Sequence, residues 1–449
     1  MTKISRTTDM TQGSEMRHII MFSLPLLAGN LLQQTYNIVD TMVVGRYLGD
    51  DALAAVGATG SITYLFYTLC IGLSVGAGII VAQYFGAGKK KALRSAVFNS
   101  ALVTAIFGIV ISLLSVPAAK PILELLKVPD KLIGDSVAYM QIACGGTIAV
   151  AAYNWINAIM RALGDSKTPL IFLGAASLLN ALLDLLFVVV FKFGIAGAAW
   201  ATVLTQALSA ISCIVYCFAV SGEIKLTADD LHTDKDMMSR CVKTGVPIAI
   251  QNGLISVSMV ALQRVTNGFG ETVMAAYTVS MRIEQFVQQP FSSLNAAVST
   301  FTGQNIGAGK EKRAQKGLAC AIKISVIFSA VVLVLFTLFG GAITSWFVKG
   351  KTVISISAKA LIITSLFYWS LGIIHTRGFL NGAGDTNYAL VNGMAEVICR
   401  IGLSLILTRI AFIGYWGIWY TTAATWFVTA MVSLIRYKGG KWRLHSIVK

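Results

Sequence analysis

Twelve long apolar segments account for most of this chain, and they constrain its fold more than any other feature. A helix rises about 1.5 Å per residue and needs roughly 20 apolar residues to cross a bilayer, so each segment is long enough to span one. Apolar residues make up 56% of the 449 residues and charged residues only 12%, which is typical of an integral membrane protein. The predicted spans are residues 19–47, 53–85, 95–116, 134–160, 169–191, 195–219, 246–267, 273–306, 318–347, 354–378, 387–409 and 412–435.

Basic residues outnumber acidic ones, with 36 lysines and arginines against 20 aspartates and glutamates. Such an excess can indicate nucleic-acid binding, but here the basic residues cluster in short loops after even-numbered spans and in the tail 436–449. Positive charge in short loops marks the cytoplasmic side of a membrane protein. We therefore expect no nucleic-acid partner, a lipid-embedded chain in the cell membrane, and both termini in the cytoplasm.

The two halves of the sequence repeat each other. GAGKKKALR at 86–94 returns as GAGKEKRAQ at 307–315, an offset of 221 residues. Each half contains six spans, an even number, so the second half enters the membrane from the same side as the first and the repeat is parallel. Further pairs at offsets of 220 to 222 are Pro25 with Pro247, Gly164-Asp165 with Gly384-Asp385, and Gly194 with Gly414.

The repeat divides the chain into two lobes joined by its one long polar connection, residues 221–244. The predicted fold is an all-α integral membrane protein with twelve transmembrane helices in two six-helix bundles related by a parallel internal repeat. The predicted parts are an N-terminal six-helix lobe at 1–220, a cytoplasmic linker at 221–244, a C-terminal six-helix lobe at 245–435 and a basic cytoplasmic tail at 436–449.

Acidic residues are rare inside the spans, and an acid in hydrocarbon is costly enough to be a candidate functional residue. Asn180 and Asp184 lie four residues apart and so on one face of the fifth span, Asp40 lies in the first span and Thr202 in the sixth. Oxygen ligands of this kind suit a proton or a small hard cation such as Na⁺. The sequence therefore predicts an ion-coupling site of Asp40, Asn180, Asp184 and Thr202 that holds H⁺ or Na⁺.

The second half does not reproduce this site. At the repeat offsets, Asp40 corresponds to Leu262, and Asn180 and Asp184 correspond to Arg400 and Ser404. Thr202 alone keeps its residue type, as Thr422. We therefore expect the acidic pair to form a site in the first lobe only.

A second polar group lies in the C-terminal half, at Arg282, Glu284, Glu396 and Arg400. Glu396 and Arg400 are four residues apart, which allows a pair on one helix face, whereas Arg282 and Glu284 are two apart and each needs a partner on another helix. Two interpretations stay open for this second-lobe polar network. It is a structural set of ion pairs, or it takes part in substrate passage or gating.

Other polar residues and the cysteines give weaker indications. Arg264 is expected to extend to the outer surface, and His375 to be a packing or hydrogen-bonding residue. The seven cysteines include no CxxC pair and are interpreted as small core residues. The sequence contains no HExxH, nucleophile-elbow or Walker motif, so we predict no catalytic residues and no enzyme activity.

Several motifs, in order along nearly the whole chain, resemble the multidrug and toxic compound extrusion (MATE) family. They are YNIVDTMVVGRYLG at 36–49, GLSVGAGIIVAQYFGAGKKK at 72–91, RALGDSKTP at 161–169, FGIAGAAWATVLTQ at 193–206 and TGQNIGAGKEK at 302–312. Asp40, Asn180, Asp184 and Thr202 match the first-lobe cation site of that family, with Tyr36 and Tyr139 as neighbours.

The resemblance implies two six-helix lobes and alternating access that exports amphipathic, often cationic organic molecules against H⁺ or Na⁺. Its Na⁺-coupled NorM-type members carry an acid in the seventh span, and none lies between Pro247 and Asn267 here. The second-lobe polar network instead resembles the DinF-like bacterial branch, which favours H⁺ over Na⁺. We expect no cofactor other than the coupling ion, small organic molecules as substrates, and a chain that functions as a monomer.

Two functions other than antiport are also compatible with the sequence. One is a flippase for a lipid-linked saccharide, which shares this architecture but would need several basic residues in its cavity. The other is an intramembrane enzyme that acts on a lipid, for which the only acid-rich stretch is Asp229–Asp236 in the predicted linker.

Overall fold

The computed structural model describes residues 7–220, 224–227 and 230–448, and within them the secondary structure is entirely helical. A π-helical turn, Leu185–Val190, follows α6 directly, and short 3-10 turns cover Gly414–Trp416 and Lys441–Leu444. The α-helices are α1 (Glu15–Leu48), α2 (Asp50–Gly86), α3 (Lys90–Leu125), α4 (Asp130–Gly145), α5 (Thr147–Ala162), α6 (Lys167–Asp184), α7 (Gly194–Val220), α8 (Lys235–Asn267), α9 (Glu271–Gly307), α10 (Glu311–Ser345), α11 (Lys351–Ser365), α12 (Tyr368–Gly382), α13 (Asn387–Leu407) and α14 (Gly417–Lys438).

These helices account for the twelve predicted spans. Among the described residues, eight helices are long and apolar enough to cross a membrane by themselves. Two more spans arise when bent pairs are joined, α4 with α5 at 43° and α11 with α12 at 49°. The remaining two, α1 and α9, fall outside these ten, and each contributes polar residues to one candidate site: Asp40 on α1, and Arg282 and Glu284 on α9. The predicted all-α fold with twelve helices is confirmed.

The first compact unit comprises residues 7–9 and 24–249, with α2 packed along α5, α3 and α4. Small residues let α2 approach its neighbours closely. A Cβ placed on Gly72 would lie 2.3 Å from the Ala249 backbone, and one on Gly76 would lie 2.5 Å from Gly245. The close approach at Gly72 and Gly76 therefore depends on the absence of a side chain at both positions.

The second compact unit comprises residues 10–23 and 250–448, with α12 packed between α9, α10 and α14. Its aromatic core contains Phe291, Tyr368 and Trp426. Residues 10–14 cover the turn between α9 and α10, where the Met10 amide donates to Gln304 Oε1 at 2.9 Å. The predicted tail 436–449 is also anchored, because Trp442 is buried; Lys449 lies outside the described residues.

Two parts of the predicted domain division need comment. The predicted linker 221–244 includes residues 221–223 and 228–229, and Asp229 with them, which lie outside the described residues. Helix α8 begins at Lys235, so the end of that predicted linker is helical. The remaining boundaries stay a prediction.

The internal repeat is visible as matched backbone geometry. Ser136 Oγ donates to the Ala55 carbonyl at 3.4 Å, and 221 residues later Ser357 Oγ donates to the Ala276 carbonyl at 3.2 Å. Glycines with positive φ recur at the same offsets, a conformation that favours glycine because it has no Cβ. These pairs are Gly49 and Gly270 (both +84°), Gly88 and Gly309 (+67° and +71°), Gly164 and Gly384 (+81° and +95°), and Gly194 and Gly414 (+60° and +53°).

Candidate functional site

Helix α1 contributes a polar row to the first unit. Along this row Asn30, Gln33 and Gln34 are partly buried and Asn37 is exposed. At its end the Asp40 side chain places an oxygen, Oδ1, in the interior without a hydrogen-bond partner among the described residues. The row therefore ends at a partly buried acid with one buried carboxyl oxygen.

Helix α6 contributes the most deeply buried polar residues of the site. Asn180 and Asp184 have no exposed surface and lie one turn apart, as their spacing predicts. Asp184 is the last residue of α6 before the π-helical turn Leu185–Val190. Such turns are rare and occur frequently at functional sites, because they interrupt the regular i to i−4 hydrogen-bond pattern.

The predicted residues from three helices meet at this point. The Asp40 and Asp184 carboxyl groups interact side chain to side chain, which joins α1 to α6. Tyr36 Oη and Thr202 Oγ1 lie 3.4 Å apart, which joins α1 to α7. The structure thus brings together the two acids, and it places Tyr36 and Thr202 beside them.

Two further tyrosines border the acidic pair. Tyr139 on α4 lies within electrostatic range of both Asp40 and Asp184, as expected for a neighbour of the site. Tyr67 on α2 lies near Tyr36 and Tyr139 and donates its hydroxyl proton to the Ala143 carbonyl at 3.0 Å. The sequence analysis missed Tyr67, because a tyrosine in an apolar span carries no signal that separates it from a packing residue.

The site leaves an unusual number of buried polar atoms without partners. Among the described residues, both carboxyl oxygens of Asp184, both amide atoms of Asn180 and Oδ1 of Asp40 have no hydrogen-bond partner. Leaving such groups unpaired in an apolar interior costs free energy, and two adjacent acids cost more. A proton or a small hard cation bound between them would satisfy these oxygens, so the donor set fits H⁺ or Na⁺.

The second-lobe polar network forms only in part. Arg400 is buried and its Nη2 donates to Glu396 Oε1 at 2.7 Å, which confirms the predicted pair. Glu284 lies within electrostatic range of Arg400. Arg282 is exposed and, among the described residues, donates to Gln285 of its own helix at 3.4 Å. The prediction that Arg282 needs a partner on another helix is wrong, since a neighbouring amide one turn away is sufficient for an exposed guanidinium.

His375, Arg264 and the cysteines lie outside the two candidate sites. His375 is buried, and its Nε2 lies 2.7 Å from Ser325 Oγ, so the interpretation as a hydrogen-bonding residue is confirmed. Arg264 is exposed near the end of α8. All seven cysteines are free thiols, and five of them are buried.

The network yields a matched pair of stability predictions. Changing Glu396→Gln is expected to lower the free energy of unfolding by about 3 kcal/mol, because it leaves the buried Arg400 guanidinium without its ion-pair partner. Changing Arg282→Gln is expected to have an effect within about 0.5 kcal/mol, as is usual for an exposed side chain. Thermal unfolding of both variants in the same detergent measures the difference. Equal effects of the two changes would contradict this assignment.

Comparisons with known proteins agree with the geometry. The MatE family model matches twice, at residues 25–186 and 247–406, one match for each half of the repeat. The chain is 27% identical to a probable multidrug resistance protein, YpnP, of Bacillus subtilis strain 168, over 97% of both chains. It is also 27% identical to a second such protein of that organism, YoeA, over 99% of this chain and 97% of the other.

The fold also matches solved structures. One is an outward-facing conformation of a multidrug resistance MATE family transporter of the MOP superfamily, with a TM-score of 0.90 at 22% sequence identity. The match covers 97% of this chain and 99% of that one. The twelve-helix architecture with two repeated bundles is therefore a known one.

Proposed function

Because the chain belongs to the MatE family of multidrug and toxic compound extrusion (MATE) proteins, it is a multi-pass membrane transporter, and we propose that it is an antiporter. It exports amphipathic, often cationic organic molecules in exchange for H⁺, with Na⁺ as the second candidate ion. The names of the relatives, multidrug resistance proteins, support this substrate class. Members of this family are transporters and not enzymes, which removes the lipid-modifying alternative.

One observation carries the proposal, namely that two acids from different helices meet in the interior of the first unit. Asp40 and Asp184 interact directly, and three of their four oxygens have no other hydrogen-bond partner among the described residues. A pair of adjacent carboxylates in a poorly solvated place takes up a proton or a cation readily, because uptake relieves their mutual repulsion. The pair is thus a site at which an ion can bind and leave during each transport cycle.

Ion binding at this pair couples to transport through the helices that hold it. In the outward-facing form, uptake of the ion favours substrate release and return to the inward-facing form, where the ion leaves and substrate loads. A ligand shifts such an equilibrium only as far as its affinities for the two forms differ. The ion gradient supplies about 2.3 kcal/mol per charge for each 100 mV of potential, which is adequate for uphill export.

Three observations favour H⁺ over Na⁺. A proton shared by two carboxyl groups needs no further ligand, and Asp40 and Asp184 already interact. A sodium ion would need further oxygen ligands, for which Asn180 Oδ1 and the Thr202 hydroxyl are the candidates, and that hydroxyl lies 3.4 Å from Tyr36 Oη. The seventh span also offers no acid for a second-lobe sodium site of the NorM type.

Gradients imposed one at a time on proteoliposomes test the coupling ion. We expect a pH gradient at equal Na⁺ concentration to drive export of a fluorescent cationic dye, and a Na⁺ gradient at equal pH to drive little. Export driven by the Na⁺ gradient alone would replace H⁺ by Na⁺ in the proposal. A dye export rate that changes with neither gradient would contradict the antiport mechanism.

The same proposal includes location and assembly. The chain functions as a monomer in the cell membrane. Both of its termini lie in the cytoplasm, because the positive-inside rule places the basic loops on that side. It binds small organic molecules and membrane lipid, not nucleic acid. No cofactor is part of the proposed cycle, in which the coupling ion is cargo. The flippase alternative is less favoured, since the described first-lobe site is acidic.

A further inference from the structure

The two lobes can be compared residue by residue, because their cores share one register. The apolar cluster beside the acidic pair contains Ala52, Ala55 and Ala198, with Tyr139 packed against it. At offsets of 220 and 221, the corresponding cluster of the second lobe contains Val273, Ala276, Ile418 and Ala360. The matched serine hydrogen bonds at Ser136 and Ser357 lie in the same helices. The position of the ion site is therefore defined in the second lobe as well.

Besides the loss of both acids, which correspond to Leu262 and Ser404, three exchanges add charge at that position. Asn180 is replaced by Arg400, and one turn before it Ala176 is replaced by Glu396. On another helix, Thr63 of α2 is replaced by Glu284 of α9, and α2 and α9 have the same length of 37 residues. A guanidinium and two carboxyl groups thus stand where the first lobe has an amide, a methyl group and a hydroxyl.

The guanidinium is held in place by its surroundings. Arg400 is only 1% exposed, and its Nη2 lies 2.7 Å from Glu396 Oε1. Glu284 on α9 adds a second carboxyl group within electrostatic range. An arginine side chain stays charged throughout the physiological pH range and cannot diffuse away, unlike a proton or Na⁺. The second lobe therefore contains a permanent cation at the place where the first lobe has room for an exchangeable one.

We propose that the Arg400 guanidinium is a fixed substitute for the coupling ion in the second lobe, so that each chain exchanges ions through the first lobe alone. This inference rests on the proposed function of the Asp40 and Asp184 pair. Arg400 faces Glu284 and Glu396, and Arg377 lies within electrostatic range of Glu396, so two positive charges balance two carboxyl groups and the second lobe needs no ion from solution. The charged and titratable groups that face this cluster are Tyr277 and Glu284 on α9, Tyr368, His375 and Arg377 on α12, and Glu396, Cys399 and Arg400 on α13.

Two variants, each made with and without Asp40→Asn, test whether Arg400 takes the place of the coupling ion. The first is Arg400→Asn, which leaves Glu284 and Glu396 without the guanidinium. The second is the triple variant Arg400→Asn, Glu284→Thr, Glu396→Ala, which places the first-lobe residues at all three positions. Thermal unfolding in detergent is measured over a range of pH and of NaCl concentration, with choline chloride as the control for ionic strength. Dye export in proteoliposomes is measured in parallel.

We expect Arg400→Asn to lower the Tm and to make it rise with NaCl or with falling pH more than in the parent chain. This added dependence is expected in the Asp40→Asn background as well, because it arises in the other lobe. The triple variant is expected to lose this added ion dependence and to export dye within about threefold of the parent rate, since it leaves neither Glu284 nor Glu396 without the guanidinium.

Two results would overturn the proposal. One is an Arg400→Asn protein whose Tm has no more cation dependence than its parent. The other, which does not require that single variant to fold, is a folded triple variant that has lost gradient-driven export. Retained gradient-driven export by Asp40→Asn alone would instead refute the function proposed for the first-lobe pair, so the two failures are distinguishable.

Discussion

Replacing Asp40 by asparagine is expected to reduce gradient-driven export by about 100-fold while leaving the protein folded. Asparagine has the size of aspartate but cannot take up a proton or neutralise a cation, so the partnership of Asp40 with Asp184 is lost. Coupling free energies of about 1–3 kcal/mol correspond to roughly 5- to 150-fold effects, and we expect a reduction at the upper end, near 100-fold. Dye export from proteoliposomes under an imposed pH gradient measures it.

The chain offers a matched control for this change. Asp51→Asn removes an acid of the same type from an exposed position, where Asp51 pairs with Lys131 at 2.6 Å. Exposed ion pairs contribute about 0–1 kcal/mol, so export should stay close to the parent value. Asp184→Asn is expected to fail as Asp40→Asn does. Export that is equally reduced in Asp51→Asn, or intact in Asp40→Asn, would refute the assigned ion site.

A second large effect is expected from Gly72→Val, which should prevent the protein from folding in the membrane. A Cβ at this position would lie 2.3 Å from backbone atoms of Ala249, and backbone cannot move aside as a flexible side chain can. Overpacking of a well-packed interior by a few methyl groups costs about 1–3 kcal/mol when side chains relax, and contact with backbone costs more. Yield of monodisperse protein and Tm in detergent measure the loss.

Gly57→Val is the control, because Gly57 lies in the same helix α2 and a Cβ placed on it would have no neighbouring atom within 4 Å. The two variants share the change in helix propensity, so any difference between them reports the contact with Ala249 alone. We expect Gly57→Val to keep the parent Tm within a few degrees. A Gly72→Val protein as stable as Gly57→Val would show that α2 does not approach α8 this closely.

The architecture could be predicted because segment length and internal repeats can be read directly from the sequence. The length of each apolar segment sets the number of spans, and the offset between Pro25 and Pro247 or between the two GAGK motifs reveals the repeat. The spacing of Asn180 and Asp184 placed both on one helix face, and the structure buries both there. The Glu396 and Arg400 pair followed from spacing in the same way.

Other features could not be predicted, since they depend on contacts between distant residues. The polar N-terminal segment gave no sign that Met10 would be buried against Gln304, which lies 294 residues away. Tyr67 lies among apolar residues, and only the fold places it beside Tyr36. The partner of Arg282 was mispredicted because the rule for helix neighbours was applied to acids and bases, while its actual partner is the neutral Gln285.

The π-helical turn that follows Asp184 lets this stretch of chain accept the deletion of one residue. A regular helix advances 100° per residue, because 3.6 residues complete one turn. Deleting one residue from Leu185–Val190 would let the wide turn become regular helix, so the residues between it and α7 could keep their orientation around the helix axis. The same deletion inside α6, between Asn180 and Asp184, would rotate one side chain by about 100° relative to the other and separate the pair. A one-residue deletion is therefore expected to be tolerated after Asp184 and not between Asn180 and Asp184.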